Sequence, residues 1–92
     1  MEILKGEGKF YIGDNENDPL AEITFVKTGE DKIIIDHTIV SDALQGQGVA
    51  KKLLTRAVEF AREEKIKIIP VCPYVIAQFE KNPDLYGDVW FR

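Results

Sequence analysis

The segment Gln45-Gly46-Gln47-Gly48-Val49-Ala50 has residue types and a spacing that can bind a phosphate. It lies between an apolar run over residues 33–40, typical of a strand, and a patterned run over residues 49–64, typical of a helix. A glycine-rich turn at a helix start leaves backbone N–H groups without partners, and its glycines allow a ligand to approach them. The helix dipole adds partial positive charge at the same place. The segment therefore predicts a site for a phosphate or pyrophosphate.

Known glycine patterns narrow the choice of ligand. A dinucleotide fingerprint requires a third glycine three residues after Gly48, where this chain has Lys51. A Walker phosphate loop requires Gly-Lys-Ser/Thr, which is absent. The pattern Gln/Arg-x-x-Gly-x-Gly/Ala fits, with Gln45, Gly48 and Ala50 at its fixed positions. A tight connection without a ligand is the alternative for two glycines in a loop.

Two side chains elsewhere can do acid–base or nucleophilic chemistry. His37 is the only histidine. On an idealised strand it faces the same way as Ile33, Ile35 and Ile39, so it is either a core residue or a general base, and a bulge would change its face. Cys72, the only cysteine, ends a predicted strand. It is either a small buried residue or a nucleophile.

The elements that position these residues follow from periodicity. Strands are predicted over residues 9–13, 20–28 and 32–40, which form an antiparallel meander. An apolar stripe of helical period predicts the main helix over residues 49–64, a fourth strand follows over 65–71, and a second helix covers 74–81. The order is β-β-β-α-β-α, in the α/β (α+β) class. The helical crossover makes the third and fourth strands parallel.

Composition limits the classes of protein. With 92 residues, the chain is expected to form one domain over 1–92 with one core. A net charge of -4 argues against nucleic-acid binding. A single cysteine fits a reducing compartment, and neither a membrane span nor a signal peptide is recognised. We expect a cytoplasmic monomer without a bound metal.

The chain resembles the GNAT superfamily of acetyl-CoA-dependent N-acetyltransferases. The resemblance covers about residues 9–81 and is strongest for a subgroup of very small single-domain proteins. It is carried by the Gln45 to Ala50 motif, by Lys51-Lys52-Leu53-Leu54 after it, and by the string His37-Thr38-Ile39-Val40 … Cys72-Pro73-Tyr74-Val75.

The resemblance implies a GNAT-like fold and a binding site for acetyl-CoA. Backbone amides of the loop and helix start would hold the pyrophosphate; these belong to Gln47, Gly48, Val49, Ala50 and Lys51, with Gln45 and Gly46 shaping the turn. The pantetheine arm would bond to the backbone of Ile39 and Val40, entering where the third and fourth predicted strands splay apart.

The resemblance also implies acetyl transfer to an amine. His37 would act as base, and Cys72 would either accept the acetyl group, activated by His37, or line the site while transfer is direct. Larger GNAT enzymes often carry a tyrosine proton donor where this chain has Phe79, and Tyr74 is a nearby alternative. Their two helices after the first strand are replaced here by the turn over residues 14–19. This favours a shallow acceptor site and a protein or peptide amine.

Two other functions remain compatible with the sequence. The domain could bind CoA or acyl-CoA with little or no catalysis, because the proton donor and acceptor pocket are reduced. It could also be an interaction domain that pairs with another protein through a sheet edge. The second alternative predicts no stabilisation by CoA.

Overall fold

The β-branched and alternating segments form one five-stranded sheet in the computed structural model, which describes residues 2–92. The strands are β1 (Leu4–Gly6), β2 (Lys9–Ile12), β3 (Ala21–Thr28), β4 (Lys32–Val40) and β5 (Lys67–Pro70). They lie in the order β1-β2-β3-β4-β5, and neighbours are antiparallel except β4 and β5, which are parallel. The helices are α1 (Val49–Glu64), α2 (Pro73–Lys81) and α3 (Pro83–Tyr86), and a 3₁₀ turn spans Asp42–Leu44.

The predicted class, the antiparallel meander, the main helix and the parallel strand after it are confirmed. Strand β1 and the four-residue α3 were missed. In β1, Leu4 pairs with Tyr11 and Gly6 pairs with Lys9. A three-residue strand that contains a lysine and a glycine shows no apolar alternation, so its order comes from pairing with β2 rather than from local propensity.

Helix α1 packs an apolar stripe against the sheet. Its buried residues recur at steps of three and four; they are Val49, Leu53, Leu54, Ala57, Val58 and Ala61. They share one buried cluster with Phe10, Ile23, Ile33 and Ile35 from the strands. Burial of each large apolar side chain stabilises the fold by about 1.5–3 kcal/mol. This layer therefore fixes the start of α1 relative to the end of β4.

A β-bulge interrupts the pairing of β3 with β4. Thr24 pairs with His37 and Phe25 pairs with Ile35, so Asp36 is an extra residue on β4. The Asp36 carboxylate accepts a hydrogen bond from the Thr24 hydroxyl, with 2.6 Å between the two oxygens. Because one extra residue shifts the two-residue period, side chains after the bulge exchange faces with those before it.

The bulge decides which side chains of β4 face α1. Ile33 and Ile35 are buried before it, and after it Thr38 lies opposite the buried Ile23 and shares its face. His37 faces the other side of the sheet and is exposed. The prediction that His37 shares a face with Ile33 and Ile35 is therefore wrong, because the extra residue reverses the alternation.

The turn over residues 13–20 packs on the face of the sheet opposite α1. Lys9 Nζ donates hydrogen bonds to Glu22 Oε1 at 2.9 Å and to the Glu16 carbonyl at 3.1 Å. The Glu16 carboxylate accepts a hydrogen bond from the Glu7 amide at 2.6 Å, and a Cβ on Gly6 would lie 2.5 Å from it. The turn is thus fastened over β1 and β2, while the far end of β4 stays exposed on the same face.

Arg62 on α1 fastens the C-terminal segment. Its guanidinium donates to both carboxylate oxygens of Asp88, at 2.8 and 3.1 Å, and to the Leu85 carbonyl at 2.7 Å. The hydrogen bonds from Arg62 hold the pKa of Asp88 below its ordinary value of 3.8. A carboxyl group with a lowered pKa stabilises the fold above its unfolded-state pKa, and this contribution is lost as the pH falls through the folded-state pKa.

We expect Asp88→Asn to lower the free energy of unfolding near pH 7 by less than about 1 kcal/mol, because both partners are largely exposed. The difference from the wild type should begin to shrink below about pH 4, where Asp88 of the unfolded state becomes protonated, and should be lost as the pH falls through the lowered pKa of the folded state. Urea unfolding across this range measures the effect. A difference that is the same at neutral and acid pH would contradict the ion pair as its source.

Candidate functional site

The loop from β4 to α1 turns on two glycines in the left-handed region. Gly46 has φ 80° and Gly48, the N-cap of α1, has φ 69°. Only glycine adopts this region without strain, so the sequence dictates the turn locally. The Gln45 side chain braces it, because Nε2 donates to the Val40 carbonyl at 3.0 Å. The loop is therefore tied back to the end of β4.

The start of α1 has unpaired donors and no acidic side chain. Gly48 supplies no side-chain cap, and the first turn contains no Asp or Glu. The first intrahelical bond runs from the Lys52 amide to the Gly48 carbonyl, so the amides of residues 49–51 precede it. A Cβ on Gly46 or Gly48 would meet no atom within 4 Å. Open space, free N–H groups and the helix dipole together suit an anion.

Strand β4 continues beyond the end of its neighbour β5. Their pairing finishes at Ile35 and Pro70, and the amides of Val71 and Cys72 then both donate to the Ile35 carbonyl at 3.0 Å. Residues 37–40 of β4 therefore pair with β3 on one side and have no β5 partner on the other. Ile39 lies in this stretch and is 58% exposed. The chain runs from this free edge through the 3₁₀ turn Asp42–Leu44 to the glycine turn before α1.

Cys72 lies where β5 gives way to α2. It is the N-cap of α2 and is 5% exposed. Its sulfur donates a hydrogen bond to the Thr38 hydroxyl, with 3.5 Å between Sγ and Oγ1. His37 lies on the other face of the sheet from Thr38, so the structure does not bring the imidazole and the thiol together on one face. The two candidate residues flank the free edge of β4 from different sides.

Tyr74 and Phe79 differ in what they can donate. Phe79 is fully buried between Tyr86 and Trp90, with ring centroids 4.7 and 5.5 Å away, and it has no hydroxyl. Tyr74 is half-buried in the first turn of α2. Burial raises the pKa of its phenol, and the neighbouring Tyr86 and Cys72 raise it further, so Tyr74 stays protonated at neutral pH.

A groove of about 450 Å³ adjoins the loop along the exposed side of α1. It is lined by Ile3, Gly48, Lys51, Lys52, Thr55, Arg56 and Glu59. Three of these side chains are cationic, which suits negatively charged parts of a ligand bound at Gly48. The sequence did not predict this groove or the contact of Thr38 with Cys72, because both depend on contacts between distant segments.

The described residues, 2–92, have neither a metal-ligand cluster nor a helix able to span a membrane. They contain no cluster of three or more His, Cys, Asp or Glu side chains arranged to hold a metal ion. None of their helices combines the length and apolar character needed to cross a membrane.

Both the sequence and the fold are matched in known proteins. Residues 9–89 fit the sequence profile of the GCN5-related N-acetyl-transferases, and the chain belongs to this family. It is 54% identical to a GCN5-like protein from Staphylococcus aureus, whose NMR structure it matches with a TM-score of 0.80 over 98% of this chain and 87% of that one. A GNAT family acetyltransferase from Elizabethkingia anophelis with acetyl-CoA bound shares the fold, at 15% identity and a TM-score of 0.54, over 70% of this chain and 43% of that one.

Curated relatives are more distant. The chain is 33% identical over 63 residues to Protein NATD1 of Xenopus tropicalis, which covers 68% of this chain and 58% of that protein. It therefore spans a little over half of that relative's length. Against Protein NATD1 of Danio rerio the identity is 29% over 83 residues, or 90% of this chain and 76% of the relative.

Proposed function

We propose that this protein binds acetyl-CoA and transfers its acetyl group to an amine. The observation that carries the proposal is the start of α1, which has no side-chain cap and no acidic residue in its first turn. It follows the free edge of β4 across the loop over residues 41–48. A loop that suits an anion and an adjacent strand edge that β5 does not cover match the two parts of the coenzyme, a pyrophosphate and an amide-containing arm. Membership of the family supports the same ligand.

The coenzyme would be held mainly by backbone atoms. The pyrophosphate would accept hydrogen bonds from the amides of the loop and first helical turn; these belong to Gln47, Gly48, Val49, Ala50 and Lys51. Charge-assisted bonds of this kind contribute about 1.5–3 kcal/mol each. The pantetheine arm would pair with the backbone of Ile39 and Val40, as an added strand does at a sheet edge.

Cys72 and His37 would divide the chemistry. In the first step Cys72 gives its proton to a solvent base, its sulfur bonds to the acetyl carbon, and the bond from that carbon to the coenzyme sulfur breaks. The coenzyme sulfur then takes up a proton from solvent. In the second step the amine nitrogen bonds to the same carbon and the bond to Cys72 breaks. His37 accepts the proton that the amine loses.

The acceptor we propose is an amine on a protein or peptide. The exposed His37 marks the face from which the amine would approach, and the gap where β4 and β5 separate would bring it to the acetyl group on Cys72. The turn over residues 13–20 is fastened over β1 and β2, and it leaves His37 exposed. An open face admits a side chain carried on a large molecule more readily than it selects a small one.

A domain that binds the coenzyme without catalysis is the second candidate. The observation that favours it is Phe79, which is buried among aromatic rings and cannot donate a proton. Both candidates share the coenzyme site, and they differ in turnover. Release of free CoA from acetyl-CoA in the presence of lysine-containing peptides distinguishes them. Release no faster than in buffer without the protein would exclude catalysis.

Coenzyme binding has its own test. At a hundredfold excess of CoA over its dissociation constant we expect about 2.7 kcal/mol of stabilisation, because the ligand binds only the folded state. For a domain of this size that corresponds to a rise in Tm of about 10 °C or more. Thermal unfolding with and without CoA measures it. An unchanged Tm would favour an interaction domain instead.

A further inference from the structure

We propose that Thr38 is a positioning residue for the Cys72 thiol. The proposal rests on the proposed function, in which Cys72 lies at the site of acetyl transfer. It assigns to Thr38 the task of holding the sulfur beside the free edge of β4. The assignment begins from one contact, the 3.5 Å hydrogen bond between Cys72 Sγ and Thr38 Oγ1.

Cys72 is held through both its main chain and its side chain. The Cys72 amide donates to the Ile35 carbonyl on β4, and the Cys72 thiol bonds to Thr38 three residues further along the same strand. The residue is 5% exposed, so its sulfur lies in a confined space. Two attachments to one strand fix the sulfur at the point where β4 and β5 separate.

The bulge at Asp36 is what brings Thr38 to the sulfur. Without the extra residue, the strand would alternate regularly from the buried Ile33 and Ile35, and His37 would take the inner face. The hydrogen bond between Thr24 and Asp36 stabilises the bulged arrangement. A hydroxyl rather than an imidazole therefore contacts the thiol.

A hydroxyl suits this position because it both donates and accepts. With Cys72 protonated, the thiol donates to Thr38 Oγ1. When Cys72 loses its proton to a buffer base, the hydroxyl hydrogen of Thr38 can turn and donate to the negative sulfur. The contact is kept in both states, and the charged state gains the stronger bond. Serine preserves this capacity, and valine has the shape of threonine without it.

The test is the rate at which iodoacetamide alkylates Cys72, measured by mass spectrometry without coenzyme at one neutral pH. We expect Thr38→Val to react about tenfold more slowly than the wild type, which corresponds to the loss of one hydrogen bond to the reacting sulfur. Thr38→Ser should react within about twofold of the wild type. Thr28→Val, at the far end of β3, is the control and should react at the wild-type rate.

A packing role for Thr38 predicts the opposite sign. Looser packing would expose the confined sulfur and speed alkylation, so a Thr38→Val rate equal to or above the wild type overturns the proposal. A Thr38→Ser rate as low as that of Thr38→Val also overturns it. If Thr38→Val does not fold, Thr38→Ala gives the same comparison with Thr38→Ser. Because alkylation uses no coenzyme, a failure here is separate from a failure of CoA to stabilise the protein.

Discussion

In Gly48→Glu we expect the stabilisation by CoA to disappear. A glutamate at this position places a carboxylate in the open space before the start of α1, where the pyrophosphate would bind. Like charges repel there, and the loop also becomes strained, because φ at Gly48 is 69° and a non-glycine residue in this region costs about 1–2 kcal/mol. Thermal unfolding with and without CoA measures the loss.

Gly29→Glu is the matched control for Gly48→Glu. Gly29 has φ 68° and a built Cβ there meets nothing closer than 3.8 Å, so the strain and the added charge are nearly the same. It lies in the turn between β3 and β4, away from the loop. We expect Gly29→Glu to keep the full CoA shift. Equal shifts in the two variants, whether kept or lost, would contradict the anion site at Gly48.

The conformation of the loop from β4 to α1 could be predicted from the sequence because its determinants are local. Gly46 and Gly48 adopt left-handed backbone angles that few other residues tolerate, and the apolar stripe after them requires a helix. The sequence also shows that no acidic residue lies between Ala43 and Arg56. A turn, a helix start and its charge are thus all set within twenty consecutive residues.

The face of His37 could not be predicted, because it depends on pairing between strands. The bulge is specified by the register of β3 against β4 and by one hydrogen bond, from Thr24 to Asp36. Aspartate is depleted in strands in general, but nothing local to Asp36 specifies the register of β3 against it. Strand β1 was missed for the same physical reason, since its order comes from pairing with β2.

The face on which His37 lies decides which residues can act together at the proposed site. On one face, His37 and Cys72 would form a direct base–nucleophile pair. On opposite faces, Thr38 holds the sulfur, and the imidazole points to the side from which an amine can approach. The two steps of acetyl transfer then depend on different residues, and substitutions can separate them.

In Cys72→Ala we expect no acetyl adduct and a loss of turnover, because the atom that carries the acetyl group is gone. In His37→Gln we expect turnover to fall by about 10²–10⁴-fold, since the amine keeps its proton. The His37 variant should still form the acetyl adduct on Cys72 and release one equivalent of CoA in a burst. Mass spectrometry of the protein and a rapid assay of free CoA measure both steps.

The outcomes discriminate three arrangements of the same two residues. Turnover that survives in Cys72→Ala points to direct transfer from the coenzyme to the amine. An adduct that fails to form in His37→Gln means that the imidazole reaches the thiol, which the bulge does not allow. Only a stalled adduct in His37→Gln, with none in Cys72→Ala, requires the thiol and the imidazole to act in succession. That order follows from one extra residue, Asp36, which places Thr38 on the face of the sheet that carries Ile33 and Ile35 and leaves His37 on the opposite face.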